Sequence, residues 1–162
     1  MSTGAFLPFE RAKFRTRLPR GHVYTAGHMW LQETEPERWQ VGLTRFALRM
    51  LGEPVDLDFE AQAGSDVAKG QVVGWLEGFK AVTDLYSPMN GRFLGANPGL
   101  DKGLGALQRS GYQDGWLFAL GGPLDPDCLD VDAYAGLLTE TIDRMVGENP
   151  ELTESAQGES QP

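Results

Sequence analysis

Lys80 is the residue whose placement bears most directly on chemistry. It is the only basic residue between Lys69 and Arg92, and the chain has four lysines against ten arginines. Apolar, strand-like runs flank it, Val72 to Leu76 before and Val82 to Tyr86 after. An ammonium there is badly placed for a core and well placed for a hairpin tip, because burying an unpaired charge is costly. An amine held on such a tip is what an enzyme that attaches a prosthetic group to lysine needs: an exposed nucleophile on a rigid backbone. Glu77 lies three residues before Lys80 and Asp84 four after. Both are candidates for recognition by the modifying enzyme; the plainer role is to solvate the turn.

Other chemistry is thinly supported. Cys128 is the only cysteine, which excludes an intrachain disulfide and a thiolate metal cluster. It has no evident base in the sequence around it and reads as structural or incidental. His22 and His28 are too few, without cysteine partners, for a metal site, so none is expected.

The elements that would position Lys80 follow from periodicity. His22 to Trp39 suggests a hairpin that turns at Glu33-Thr34-Glu35-Pro36-Glu37. Thr44 to Leu51 predicts a short helix, with Thr44 as N-cap and Gly52 closing it. Val55 to Phe59 predicts a strand with Val55, Leu57 and Phe59 on one face. Two strands flank Lys80. Further strands are expected at Arg92 to Ala96 and Trp116 to Leu120, separated by a loop from Asn97 to Gly105. Val131, Tyr134, Leu138, Ile142 and Met145 recur at helical spacing and predict a C-terminal helix from Val131 to Val146. Trp30 and Trp116 read as core aromatics.

The domain plan is a basic N-terminal arm over residues 1–21, a folded domain over 22–146, and a polar tail over 147–162 expected to be disordered. The arm holds Arg11, Lys13, Arg15, Arg17 and Arg20 against Glu10, while residues 121–162 are acidic apart from Arg144. A formal net charge of −9 argues against nucleic-acid binding. No apolar run reaches transmembrane length, and no apolar segment near Met1 suggests secretion, so a cytoplasmic monomer with no membrane partner is expected.

Set in order, these residues resemble the glycine cleavage system H-protein and its lipoyl-carrier relatives. The segment Glu77-Gly78-Phe79-Lys80-Ala81-Val82-Thr83-Asp84-Leu85-Tyr86-Ser87-Pro88 is similar to the family's Glu-Ser-Val-Lys-Ala-x-Ser-Asp-Leu-Tyr-Ser-Pro. Tyr24-Thr25 with His28-Met29-Trp30-Leu31 resembles the family's opening Tyr-Thr…His-Glu-Trp-Leu. Gly91, Asn97, Tyr112, Gly115-Trp116-Leu117 and Asp132-Ala133-Tyr134 match downstream landmarks over residues 22–138.

The resemblance implies a mainly β (α+β) flattened barrel-like sandwich of the lipoyl/biotinyl-carrier type, with a short internal helix and a C-terminal helix. It implies a non-catalytic carrier with lipoic acid in amide linkage on Lys80, put there by a lipoate ligase or lipoyl transferase. The implied arm shuttles an aminomethyl intermediate among the glycine cleavage decarboxylase, aminomethyltransferase and dihydrolipoyl dehydrogenase. Departures stand at Gly78 and Phe79 for Ser-Val and at Met29 for the glutamate. With the basic lead-in, they resemble an H-protein-like branch of lipoate-binding proteins serving heterodisulfide-reductase-like complexes in sulfur oxidation. An unlipoylated H-like interaction protein is the third reading.

Overall fold

The structure, a computed structural model, describes residues 4–149. In chain order the strands are β1 (Phe6–Arg11), β2 (Phe14–Pro19), β3 (Val23–Tyr24), β4 (Met29–Glu35), β5 (Arg38–Leu43), β6 (Pro54–Phe59), β7 (Asp66–Val67), β8 (Val72–Gly78), β9 (Val82–Tyr86), β10 (Gly91–Ala96) and β11 (Phe118–Gly121). The helices are α1 (Arg45–Leu51), α2 (Ala106–Arg109) and α3 (Val131–Glu148), with a 3₁₀ turn at Pro98–Leu100. The strands form a six-stranded sheet ordered β3-β4-β5-β11-β10-β7, a three-stranded sheet ordered β6-β8-β9, and the pair β1-β2. The sheets do not close, which gives the flattened sandwich expected from the sequence.

Alternation along the strands divides the core in two. Met29 and Leu31 of β4, and Trp39, Val41 and Leu43 of β5, point into the space between the large sheets, where they meet Val73, Leu76, Leu85 and Phe118. Trp30, between Met29 and Leu31, faces the other way. It joins Tyr24, Phe46, Tyr134, Leu138 and Ile142 under α3. Tyr24 stacks on Tyr134 at 4.7 Å between centroids, so β3 and α3 share one aromatic contact.

The predicted caps of α1 are present. The Thr44 hydroxyl accepts from the Ala47 N–H, and the Gly52 N–H donates to Leu48. Asp130 accepts from the Ala133 N–H at 2.8 Å and starts α3. Other expectations need correction. Val55 is 55% exposed rather than inward, because the β6–β8 register shifts between Pro54 and Asp56. The last strand starts at Phe118, two residues after Trp116. The expected loop after Asn97 contains the 3₁₀ turn, and α2 follows it. Residues 150–162 of the expected tail lie outside the described residues, while Gly147 and Glu148 complete α3.

The largest difference is at the N-terminus. Residues 6–19 of the expected extended arm form a hairpin, reversing at Ala12 and Lys13, both with positive φ. The signal was legible: Phe14, Thr16 and Leu18 alternate with Arg15 and Arg17. Phe14 and Leu18 are buried beside α3. Arg11 grips Asp143 of α3 through Nε and Nη2, each at 2.8 Å.

Candidate functional site

The β8–β9 hairpin places Lys80 at its tip, exposed as predicted. Only Phe79 and Lys80 lie outside the closing pair, in which the Gly78 N–H donates to Ala81 at 2.8 Å. Neither loop residue has positive φ. The left-handed turns that suit a two-residue hairpin loop are therefore not used, and the reversal is held from outside instead. The Phe79 N–H donates to the Glu53 carbonyl and the Lys80 N–H to the Leu51 carbonyl, each at 2.8 Å. Leu51 ends α1, so one of that helix's orphan carbonyls is satisfied by the tip.

Two glycines permit this contact. Gly52 has φ 80°, and a Cβ there would stand 2.9 Å from Lys80 Cγ. A Cβ on Gly78 would collide with the Leu51 carbonyl. The sequence departure at Gly78 thus has a physical reason here: backbone of α1 occupies the space a serine side chain would need.

Glu77 and Asp84 share the outward face of the three-stranded sheet. Glu77 lies opposite Val82 and Asp56, and Asp84 lies opposite Trp75, which in turn faces Asp58. All four carboxylates are exposed. Exposed apolar groups are interleaved with them: Trp75, Val82, Tyr86, and Phe79 at the tip, which is 85% exposed.

A cavity of about 600 Å³ opens between α1, β9 and the segment before α3. Its walls include Met29, Leu43, Phe46, Met50 and Leu51, with Asp84 and His28 among the polar groups. Burial pushes the His28 pKa below its ordinary value. Its Nδ1 lies 2.8 Å from the Tyr134 hydroxyl, which also meets Thr44 Oγ1 at 2.9 Å. The cap of α1, the cavity wall and α3 are thereby joined. At the rim, Lys69 Nζ donates to Asp125 at 2.8 Å and Asp127 at 2.6 Å, and hydrogen bonding to Lys69 lowers the Asp125 pKa.

Cys128 also lines the cavity. Burial, and secondarily Asp125, pushes its thiol up to about 11, so it is protonated at neutral pH and poorly suited to attack. Among the described residues no group of His, Cys, Asp and Glu is arranged to hold a metal ion. No helix there is long and apolar enough to cross a membrane.

A second hollow, of about 360 Å³, is lined by Lys80 itself with Arg45, Arg49, Gly52, Glu53 and Gln108. Sequence reasoning missed these cations near Lys80. The available signal was Arg45 and Arg49 one helical turn apart on a seven-residue helix.

The comparisons with known proteins agree with the fold. The family model described as "Glycine cleavage H-protein" matches residues 22–129. The glycine cleavage system H protein of Kocuria rhizophila is 35% identical over 127 residues, covering 76% of this chain and 98% of that one. The corresponding protein of Rubrobacter xylanophilus is 34% identical, covering 76% and 96%. Among solved structures, the crystal structure of a glycine cleavage system H protein from Mycobacterium marinum matches with a TM-score of 0.66 and 27% identity. It covers 74% of this chain and 97% of that one.

Proposed function

Because this chain belongs to the glycine cleavage H-protein family, we propose that it is the lipoyl carrier of a glycine cleavage system, with lipoic acid in amide linkage on Lys80. As a member of this family it is a non-catalytic component. The observation that carries the reading is the tip itself: an exposed lysine whose backbone N–H, and that of its neighbour, are locked onto Leu51 and Glu53.

The residues fit such a group. Lys80 presents its amine to a lipoate ligase or lipoyl transferase while the tip keeps a fixed shape. Leu51, whose carbonyl holds Lys80, also lines the 600 Å³ cavity, so the tip is tied to a residue of its apolar wall. When bound, lipoic acid supplies a dithiolane that cycles between disulfide and dithiol and carries the aminomethyl unit between the decarboxylase, the aminomethyltransferase and dihydrolipoyl dehydrogenase. The protein's part is to place, shelter and present. Glu77 and Asp84, on the outward face beside the tip, offer carboxylates to the modifying enzyme, and such charges speed encounter more than they raise affinity.

Intact mass and peptide mapping after expression with a lipoylation system test the attachment. One lipoyl increment on the Lys80 peptide, absent in Lys80→Ala, is expected; an increment that survives the substitution rejects the assignment. The lipoylated protein should then support bicarbonate–glycine exchange by the glycine cleavage decarboxylase. Lipoylation without exchange, beside an active control carrier, would favour a heterodisulfide-reductase-like partner instead.

A further inference from the structure

We infer that the N-terminal hairpin completes a docking cleft for an acidic polypeptide segment of a partner enzyme, running from β2 to the Lys80 tip. A cleft of about 690 Å³ lies between the β1–β2 hairpin, the start of α1, and α2. Arg15 and Arg17 come from the hairpin, Arg45 from α1 and Arg109 from α2. Among the described residues no aspartate or glutamate lines it, although the chain has 23 acidic residues. Such segregation of cations on a chain of net charge −9 marks a complementary negative partner. The carboxylates described along the path are Glu10, 3.2 Å from Arg15, and Glu53, which lines the hollow at Lys80.

The cleft is built rather than incidental. Tyr112 ties its walls together: the hydroxyl accepts from the Arg45 N–H at 3.0 Å, and the carbonyl lies 2.8 Å from Nε2 of His22, just after the hairpin. Arg45 and Gln108 line this cleft and also the hollow at Lys80, where Arg49 adds a fifth arginine. The cationic path therefore ends at the amine that the partner must reach.

The arginines come from three elements, β2, α1 and α2, and line two adjoining hollows, which fits an extended polyanion better than a compact oxyanion. A nucleotide would want an open aromatic face, but the Phe6 ring is already covered by the Arg17 guanidinium, 4.7 Å from its centroid. Nucleic acid suits the remaining, strongly acidic surface poorly. The hairpin also lies outside the span matched by the family model, so this cleft distinguishes the chain from the family pattern.

The test uses the unmodified full chain, so it succeeds or fails independently of lipoylation at Lys80. A fluorescein-labelled oligoglutamate peptide is titrated and read by anisotropy. Expected is saturable binding that weakens with salt and falls about tenfold in the Arg15→Glu/Arg17→Glu variant. Arg92→Glu, which lines neither hollow, should leave it unchanged. If the hairpin variant melts early, Arg109→Glu on the facing wall should show the loss without touching the hairpin. Unchanged binding in these cleft variants, or an equal loss in Arg92→Glu, overturns the proposal. So does tighter capture of pyrophosphate or of a single-stranded oligonucleotide than of the peptide.

Discussion

The backbone N–H of Lys80 donates to the carbonyl of Leu51 at 2.8 Å, so the tip of the three-stranded sheet and the last turn of α1 form one hydrogen-bonded unit. Leu51 is buried in the central core, and the position of the exposed amine is therefore set by packing beneath it. A carrier lysine on a freely flexing loop would present no fixed shape to a modifying enzyme.

Gly52→Ala should uncouple that unit. Its φ of 80° disfavours any side chain, and the new Cβ would stand 3.0 Å from the Lys80 nitrogen as well as 2.9 Å from its Cγ. A loss of about 1–3 kcal/mol is expected, with slower acylation of Lys80. Urea midpoints and initial lipoylation rates by mass spectrometry report the two effects. Wild-type values for both would mean that the helix does not position the tip.

Tyr134→Phe removes one hydroxyl from a buried network, leaving Thr44 Oγ1 and His28 Nδ1 without their shared partner. The ring and its stack on Tyr24 remain. The expected cost is about 1–2 kcal/mol. Thr44→Val should cost a similar amount, because it also strips the α1 cap. The double variant should then lose less than the sum of the two single losses, a coupling that chemical denaturation measures.

The two histidines give stability a definite pH dependence. Burial lowers the folded-state pKa of His22 and of His28 from the ordinary 6.5. Below 6.5 the unfolded chain binds protons that the folded chain refuses, so stability is complete above that pH and declines as pH falls toward the folded values. Asp125 and Asp143, held below the ordinary 3.8 by Lys69 and Arg11, add their losses only in stronger acid. Urea midpoints should therefore drop between about pH 7 and pH 5, with a shallower drop in His22→Gln. A flat profile in the wild type would contradict the lowered imidazole pKa values.

How much of this was legible depended on whether the signal was local. Thr44 before an apolar stripe, and Val131 to Ile142 at helical spacing, are one-dimensional patterns, and both helices appear where they were read. Lys80 between two alternating runs was equally local. Val55 misled because a register shift is set by the partner strand β8, not by the run itself. The arginine cleft could not be read, since Arg15, Arg45 and Arg109 are brought together only by folding. Lys69 gave no hint of Asp125 and Asp127, 56 and 58 residues away.

The N-terminal hairpin tests whether the span beyond the family match is ornament or part of the core. Phe14 meets Phe46 edge-on at 5.5 Å and 85°, and the Arg49 guanidinium lies over the Phe14 ring, 5.5 Å from its centroid. Phe46 belongs to α1, the helix that holds the Lys80 tip through Leu51. Phe14→Ala should therefore cost about 3–5 kcal/mol. It should also increase hydrogen exchange at the Phe79 and Lys80 amides, which depend on the end of α1. Asp143→Asn, which breaks only the exposed pair with Arg11, should cost far less, because solvent already screens it. If Phe14→Ala matched Asp143→Asn in denaturation and left the tip amides protected, the hairpin would be a surface addition with no bearing on the carrier lysine.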